Sequence, residues 1–184
     1  MSLLRFFNPK NYYSNTIEVL MKRNCDKKNG WIKAPNHDFS IVTEKNISDS
    51  QLFENHKYID IYKSMLERGD IGIYGYVDGK CACRVWAVVD PSNFCEGGVS
   101  LGLSTDDVFV HYLLTDVAYR GQGLASECLM FINDLFSDRD IYSTIEIHNN
   151  PSFSAFRKAG YRHNKVLILK KRLLRSKMFV HTIK

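Results

Sequence analysis

The segment that decides the fold is Arg120-Gly121-Gln122-Gly123-Leu124-Ala125, in a chain of 184 residues. An apolar run rich in β-branched residues, 108–117, precedes it, and residues 124–135 repeat apolar side chains at helical spacing. A strand is therefore predicted to lead into a helix at this turn. The first amides of such a helix lack partners and its dipole is positive there, so the turn can bind an anion. The glycines allow a phosphate to approach the backbone closely.

Two other glycine-rich turns bind phosphate and have different sequence requirements. A Walker loop needs Gly-x-x-x-x-Gly-Lys-Ser/Thr, and the sequence contains none. The dinucleotide fingerprint needs Gly-x-Gly-x-x-Gly/Ala, but Ser126 stands three residues after Gly123, and the segment lies late in the chain. A nucleoside triphosphate site and a Rossmann site are therefore disfavoured.

Downstream of the turn the pattern continues as strand, helix and strand. Residues 141–148 predict a strand, and Asn149-Asn150-Pro151-Ser152 predicts the start of a helix that ends at Gly160. Residues 166–174 predict a final strand.

Upstream, apolar residues alternate along 71–87 on both sides of Asp78-Gly79, which predicts a β-hairpin closed by a two-residue turn. A short alternation at 39–42 predicts a first strand. Apolar stripes at helical spacing predict amphipathic helices over residues 11–24 and 50–68. The chain is thus of mixed α and β class.

Residues 115–125 resemble motif A of the GNAT superfamily of acyl-CoA-dependent N-acyltransferases, whose signature is Gln/Arg-x-x-Gly-x-Gly/Ala; Arg120, Gly123 and Ala125 satisfy it. The segment 149–161 is similar to the closing motif of that family, in which an Asn opens a helix and Lys-x-Gly-Phe/Tyr ends it. Residue-level similarity covers 108–161. Upstream, the order of the predicted elements agrees with the family.

The resemblance implies one domain with a mixed α/β (α+β) fold: a mostly antiparallel central sheet with splayed central strands, flanked by helices. Residues 1–69 would supply N-terminal helices and the first strand on the acceptor side. Residues 105–161 would form the acetyl-CoA-binding core, and 162–184 a basic C-terminal strand region.

The resemblance also implies acetyl-CoA as co-substrate. Its pantetheine arm would pair with backbone groups of the strand before motif A, and its pyrophosphate would bind the turn. The predicted cofactor-binding residues are Leu113, Thr115, Val117, Arg120, Gly121, Gln122, Gly123, Leu124, Ala125, Ser126, Asn149, Ser152 and Phe156. Asn149 could equally serve as a helix cap.

The implied reaction is direct attack of a primary amine on the thioester in a ternary complex. An amine of pKa about 10.4 is protonated at neutral pH, so a base assists. His111 stands where the histone-modifying branch of the superfamily carries its glutamate base, and Glu146, Asp116 and His148 are further candidates. Cys128 lies on the apolar helical stripe and is predicted to be a core residue rather than a nucleophile.

The proton for the departing thiolate comes, in this family, from a Tyr seven residues after the Asn of the closing motif. The present sequence has Phe156 there. Tyr161 is the predicted substitute, with Tyr119 and Tyr112 as alternatives, and a thiol acidic enough to leave unaided is also compatible.

The charge is asymmetric. The net charge is +5, and residues 157–184 carry ten Lys or Arg and no Asp or Glu. This basic segment is predicted either to be a solvated strand face or to attract nucleic acid, anionic lipid or a phosphorylated small molecule. A small, phosphorylated amine is the predicted acceptor, because the neighbouring motifs already bind phosphate. The absence of an RNP-like aromatic pattern and of a helix-turn-helix argues against nucleic acid.

Composition is typical of globular domains, and the cytosol is the predicted location. Hydrophobic residues make up 45%, and no apolar run approaches the length of a membrane span. Five cysteines without a CxxC pair indicate reduced thiols, and no metal site is predicted. A homodimer is compatible with the sequence. The alternatives to a small-molecule acetyltransferase are a catalytically weak acyl-CoA sensor and a protein or peptide N-acetyltransferase.

Overall fold

The computed structural model describes residues 13–24, 31–96, 99–172 and 175–182. The predictions that concern residues 1–12, Cys25, residues 173–174 and residues 183–184 lie outside these ranges. The strands are β1 (Tyr13–Arg23), β2 (His37–Ile41), β3 (Ile71–Val77), β4 (Lys80–Val88), β5 (Cys95–Glu96), β6 (Val99–Ser100), β7 (Val108–Thr115), β8 (Ile141–Glu146), β9 (Arg162–Arg172) and β10 (Arg175–Thr182). The α-helices are α1 (Tyr58–Glu67), α2 (Leu124–Leu135) and α3 (Asn150–Lys158).

Eight strands form one sheet in the order β10-β9-β1-β8-β7-β4-β3-β2, and β5 pairs with β6 separately. In the described sheet, neighbouring strands are antiparallel except β7 and β8. These two strands pair in parallel only at Val108 with Ile141 and Phe109 with Tyr142, and they diverge beyond that point. The predicted fold class, including the splayed central strands, is confirmed.

Apolar residues cover both faces of this sheet. On one face α2 packs against β3, β4 and β7 and contacts α3, and Leu124, Leu129 and Phe156 are buried in this layer. On the other face α1 packs through Tyr62 and Met65 against β3 and β4. The predicted hairpin is confirmed, and Asp78 and Gly79 have the positive φ values of 48° and 76° that its turn requires.

The predicted N-terminal helix is wrong, because residues 13–23 form β1. β1 lies inside the sheet, antiparallel to β8 on one side and to β9 on the other. Val19, Leu20 and Met21 are consecutive and all buried, since a central strand is covered on both faces. Consecutive apolar residues of this kind do not distinguish a strand from a buried helix. The strands that pair with β1, which are β8 and β9, are more than 100 residues away in the sequence.

The predicted helix over residues 50–68 is divided. A 3₁₀-helix, Ile47–Leu52, comes first and α1 begins only at Tyr58. The intervening bend places the carboxylate of Glu54 under β4, where it pairs with Arg84. This tertiary ion pair outweighs the helical periodicity of the segment.

Candidate active site

The glycine-rich turn has the backbone that its sequence predicts. Gly121 and Gly123 have φ values of 82° and 90°, in the left-handed region that glycine adopts without steric cost. Gly123 is the residue that precedes α2, so the first amides of that helix are directed out of the turn. The Arg120 Nε donates to the carbonyl of Thr115 at 3.1 Å and holds the turn against the end of β7.

A cavity of about 430 Å³ lies between this turn, the end of β7 and the start of α3. Ten of the thirteen residues predicted to bind the cofactor line it: Leu113, Thr115, Arg120, Gly121, Gly123, Leu124, Ala125, Ser126, Asn149 and Ser152. The other three lie elsewhere: Val117 is 72% exposed, Gln122 is exposed, and Phe156 lines a neighbouring cavity. We call the 430 Å³ space the turn cavity.

Two features at α3 complete the turn cavity. The Asn149 side chain accepts a hydrogen bond from the Ser152 amide at 3.2 Å, so it caps the helix while it also lines the cavity. Lys158, at the other end of α3, contributes its side chain to the lining. The cavity therefore combines unpaired helix amides with the cationic side chains of Arg120 and Lys158, a combination suited to phosphate.

A second cavity, of about 250 Å³, fills the gap where β7 and β8 diverge, and we call it the gap cavity. It shares Leu113, Asn149 and Ser152 with the turn cavity, so the two spaces adjoin. Its titratable lining comes from three strands: Glu18, His111, Tyr112 and Glu146. Two of the predicted catalytic residues, His111 and Glu146, are thus brought together.

Glu18 is a site residue that the sequence prediction missed. It lies on β1 directly opposite Glu146 of β8 in the antiparallel register, and it is 8% exposed. Side chains at opposite positions of neighbouring strands lie on the same face, with Cβ atoms roughly 5 Å apart. Because residues 11–24 were predicted to form a helix, Glu18 was not expected to have a cross-strand neighbour. Had the segment been predicted as a strand, Glu18 would have been a candidate for the site.

His111 lies in an apolar surrounding. Its ring makes edge contacts with Phe94 and Tyr112, at centroid distances of 5.6 Å and 5.1 Å, and its buried Nε2 has no hydrogen-bond partner within the described ranges. Burial, and then the positive charges of Arg68 and Arg84, lower the pKa of His111 to about 4. The imidazole is therefore neutral at pH 7 and is a weak base.

The structure does not bring Tyr161 to the site. Its side chain is fully buried in the core, where it makes a T-shaped contact with Phe156 and donates from its hydroxyl to Asn133 Oδ1 at 3.0 Å. Burial raises the pKa of Tyr161, which makes it a poor proton donor. The residue after the helix-ending Gly160 packs inward because it is a large aromatic beside an apolar layer.

Of the four alternative catalytic residues, two line a cavity and two do not. Tyr119 lines the turn cavity and Tyr112 lines the gap cavity. Asp116 accepts a hydrogen bond from the Ala118 amide at 3.1 Å and caps a short turn, and His148 is exposed beyond the end of β8. Neither Asp116 nor His148 lines either of the two cavities.

No protein-family model matches the sequence, and a search of curated proteins finds no match. Solved structures do match. A GNAT-family acetyltransferase from Colwellia psychrerythraea is 13% identical, with a TM-score of 0.60 over 93% of this chain and 57% of that one. A GCN5-related N-acetyltransferase-like protein from Streptococcus suis is 16% identical, with a TM-score of 0.54 over 88% of this chain and 63% of that one.

A third structure is shorter and was solved with a ligand. AAC(6')-Iy, in complex with the bisubstrate analogue CoA-S-monomethyl-acetylneamine, is 15% identical, with a TM-score of 0.55 over 69% of this chain and 91% of that one. The present chain has the GNAT acetyltransferase fold. It spans less than two thirds of the Colwellia and Streptococcus proteins, and at these identities the similarity establishes the fold alone.

Across the described ranges, no group of three or more His, Cys, Asp and Glu side chains is arranged to hold a metal ion. None of the helices described is both long enough and apolar enough to cross a bilayer.

Proposed function

We propose that the protein is an N-acetyltransferase that moves the acetyl group of acetyl-CoA to a primary amine of a small molecule. The observation that supports this most directly is that a phosphate-type cavity built on helix amides adjoins a second cavity lined by Glu and His side chains, at the point where two parallel strands diverge. The first can hold a phosphorylated carrier and the second can hold an amine beside a base.

The acyl-CoA would bind with its pyrophosphate on the amides that follow Gly121 and Gly123, assisted by Lys158. Its pantetheine arm would run along Leu113 and Thr115, which line the turn cavity at the free edge of β7. Leu113 lines both cavities, so this path delivers the thioester to the gap cavity. Holding thioester and amine together makes the transfer effectively unimolecular.

In the chemical step the amine nitrogen forms a bond to the thioester carbonyl carbon, the carbon–sulfur bond breaks, and the amine loses one proton. Freeing an amine of pKa about 10.4 at neutral pH costs about 4 to 5 kcal/mol. We assign the base to Glu146, directly or through water, because its exposed carboxylate lines the gap cavity. His111, neutral and half-buried in the lining of the same cavity, can accept a hydrogen bond but takes up a proton only weakly.

The departing thiolate needs a proton or must leave as the anion. Tyr112 is the tyrosine that lines the gap cavity, and 40% of its side chain is exposed. We assign to Tyr112 the role for which the sequence had suggested Tyr161. A thiol acidic enough to leave unaided is the alternative.

The charged residues that line the gap cavity indicate which charge the acceptor amine should carry. Among the residues that the structure describes, its lining includes Glu18 and Glu146 and no Lys or Arg. A small amine with a second positive charge is therefore favoured, and a phosphorylated acceptor, which the basic segment suggested, loses support. Lys158 of that segment lines the turn cavity instead, and Arg162 donates to the carbonyl of Tyr161 at 3.0 Å.

Two further properties remain proposals. The four cysteines that the structure describes carry free thiols, which supports a reducing compartment such as the cytosol. Cys128, a residue of α2, is fully buried in the core, which supports transfer without an acyl-enzyme.

The test is release of CoA from acetyl-CoA in the presence of a panel of amines, combined with mass spectrometry of the products. Amine-dependent release with formation of the acetylated amine supports the proposal. If acetyl-CoA binds but no small amine and no peptide accelerates CoA release, the protein is an acyl-CoA-binding module. If only peptides are acetylated, it is a protein N-acetyltransferase.

A further inference from the structure

A buried ion pair joins the segment before α1 to the strand beside β7. Arg84 of β4 is 6% exposed, and its Nε and Nη2 donate to the two carboxylate oxygens of Glu54, the former at 2.7 Å. The Tyr62 hydroxyl of α1 donates to Glu54 Oε2 at 2.5 Å. A bidentate pair of this kind fixes both side chains in one orientation.

The same guanidinium reaches β7. Arg84 Nη1 donates to the carbonyl oxygen of Tyr112, and the guanidinium carbon lies 5.2 Å from the centroid of the Tyr112 ring. Tyr112 has a φ of 54°, in the left-handed region. A residue with a side chain remains in that region only where its surroundings hold it there.

Tyr112 lies within a β-bulge. The register of β4 and β7 passes from Trp86 opposite His111 to Arg84 opposite Leu114, so β7 has one residue more than β4 over this interval. Leu113, the next residue within the same interval, lines both the turn cavity and the gap cavity. The conformation of Tyr112 therefore sets the direction of the backbone where the two cavities meet.

We propose that Glu54, Arg84 and Tyr62 form a positioning device for the reaction: they hold the bulge at Tyr112 in the conformation that aligns the thioester with the amine. This inference rests on the proposed acetyl transfer. None of the three residues lines either cavity, so they act through Tyr112 and not on the substrates. The phosphate-binding turn is shaped by its own glycines, so acetyl-CoA affinity should depend little on the device.

The first test compares Glu54→Gln and Tyr62→Phe with Tyr74→Phe as control. The Tyr74 hydroxyl is also buried on the α1 face and donates to the Ile47 carbonyl at 2.8 Å, but it contacts neither Glu54 nor Arg84 through a hydrogen bond in the described structure. Misplacement of reacting groups by about 1 Å can cost roughly 100-fold in rate. We expect kcat to fall roughly tenfold or more for Glu54→Gln and several-fold for Tyr62→Phe, with the KM for acetyl-CoA within about twofold of wild type. Tyr74→Phe should keep kcat.

The second test asks whether the device acts through the bulge. Glycine adopts a positive φ without steric cost, so Tyr112→Gly should make the device dispensable. Tyr112→Phe is the matched background, because it also lacks the hydroxyl assigned to the departing thiolate but keeps a side chain at positive φ. The added Tyr62→Phe or Glu54→Gln change should lower kcat in the Tyr112→Phe background and alter it by less than about twofold in the Tyr112→Gly background. Folding of each variant is verified by circular dichroism, and Tyr62→Phe carries the test if Glu54→Gln does not fold.

An active wild type whose kcat is unaffected by Tyr62→Phe, or falls equally in both Tyr112 backgrounds, overturns the positioning role and leaves the acetyl transfer intact. A wild type that releases no CoA with any amine overturns both.

Discussion

The turn cavity and the gap cavity adjoin, but they are built in different ways. The turn cavity is made chiefly from one continuous segment, in which two glycines at positive φ expose the amides of a helix. The gap cavity is made from side chains on β1, β7 and β8, strands that lie far apart in the sequence. Binding of the carrier thus depends on local backbone geometry, whereas the chemistry depends on long-range strand pairing.

The largest effect is expected from breaking the backbone of the turn cavity. Gly123→Val places a β-branched residue at a φ of 90°, which distorts the turn and removes the amides from the phosphate site. We expect calorimetry to show at least roughly 100-fold weaker binding of acetyl-CoA, about 2.7 kcal/mol. Gly102→Val is the matched control: Gly102 also has a positive φ, 66°, and open space around it, but lies outside both cavities. Equal binding by folded Gly123→Val would remove the turn from the site.

This contrast also explains what could be predicted from the sequence. The turn, α2, the Asn149 cap and the Asp78-Gly79 hairpin follow from local residues, because glycine at positive φ, capping and apolar periodicity act over a few positions. β1, and with it Glu18, could not be predicted, because its partners β8 and β9 lie at the other end of the chain. Tyr161 was suggested as the proton donor because Phe156 occupies the position where the family has a Tyr. Nothing local in the sequence shows that the Tyr161 side chain is buried in the core.

The chemistry of the gap cavity should respond to Glu146→Gln. The isosteric amide cannot accept a proton, so kcat should fall by roughly 10- to 100-fold while the affinity for acetyl-CoA stays unchanged. Stopped assays of CoA release and calorimetry give the two quantities separately. Asp116→Asn serves as a control, since Asp116 lines neither cavity. An unchanged kcat for Glu146→Gln would move the base to Glu18.

His111 should give stability a pH dependence. Its folded pKa, about 4, is below the ordinary value of 6.5, so between these values the unfolded chain binds the additional proton. The contribution of His111 to the free energy of unfolding is fully present above about pH 6.5. It decreases by up to about 3 kcal/mol as the pH falls towards 4. Urea unfolding of wild type and His111→Asn across this range should show a steeper loss for the wild type. Parallel curves would mean that His111 is not held neutral.

The carboxylate pair of the gap cavity should select the acceptor. With 1,4-diaminobutane, butylamine and 4-aminobutyl phosphate as matched acceptors, we expect kcat/KM to be highest for the diamine and lowest for the phosphate. Glu18→Gln should reduce the preference for the diamine over butylamine roughly tenfold or less, because one charge of the pair remains. A preference for the phosphate would restore the prediction made from the basic segment.

The smallest effect is expected at the rim of the turn cavity. Lys158→Gln should weaken acetyl-CoA binding a few-fold at low salt, and the difference should shrink at physiological ionic strength, where screening acts beyond ~8 Å. Arg162→Gln is the control, since the Arg162 guanidinium donates to backbone carbonyls and does not line the cavity. Equal losses of acetyl-CoA affinity in both variants would indicate that the overall positive charge of the basic segment, and not Lys158 itself, attracts the ligand.

The central claim is that the two cavities hold acetyl-CoA and the amine at the same time. Initial rates of CoA release, measured while both substrates are varied, test it most directly. Direct attack in a ternary complex predicts intersecting double-reciprocal lines and a rate that depends on the amine. Parallel lines, which signify an acyl-enzyme, or CoA release that is independent of the amine, would contradict it.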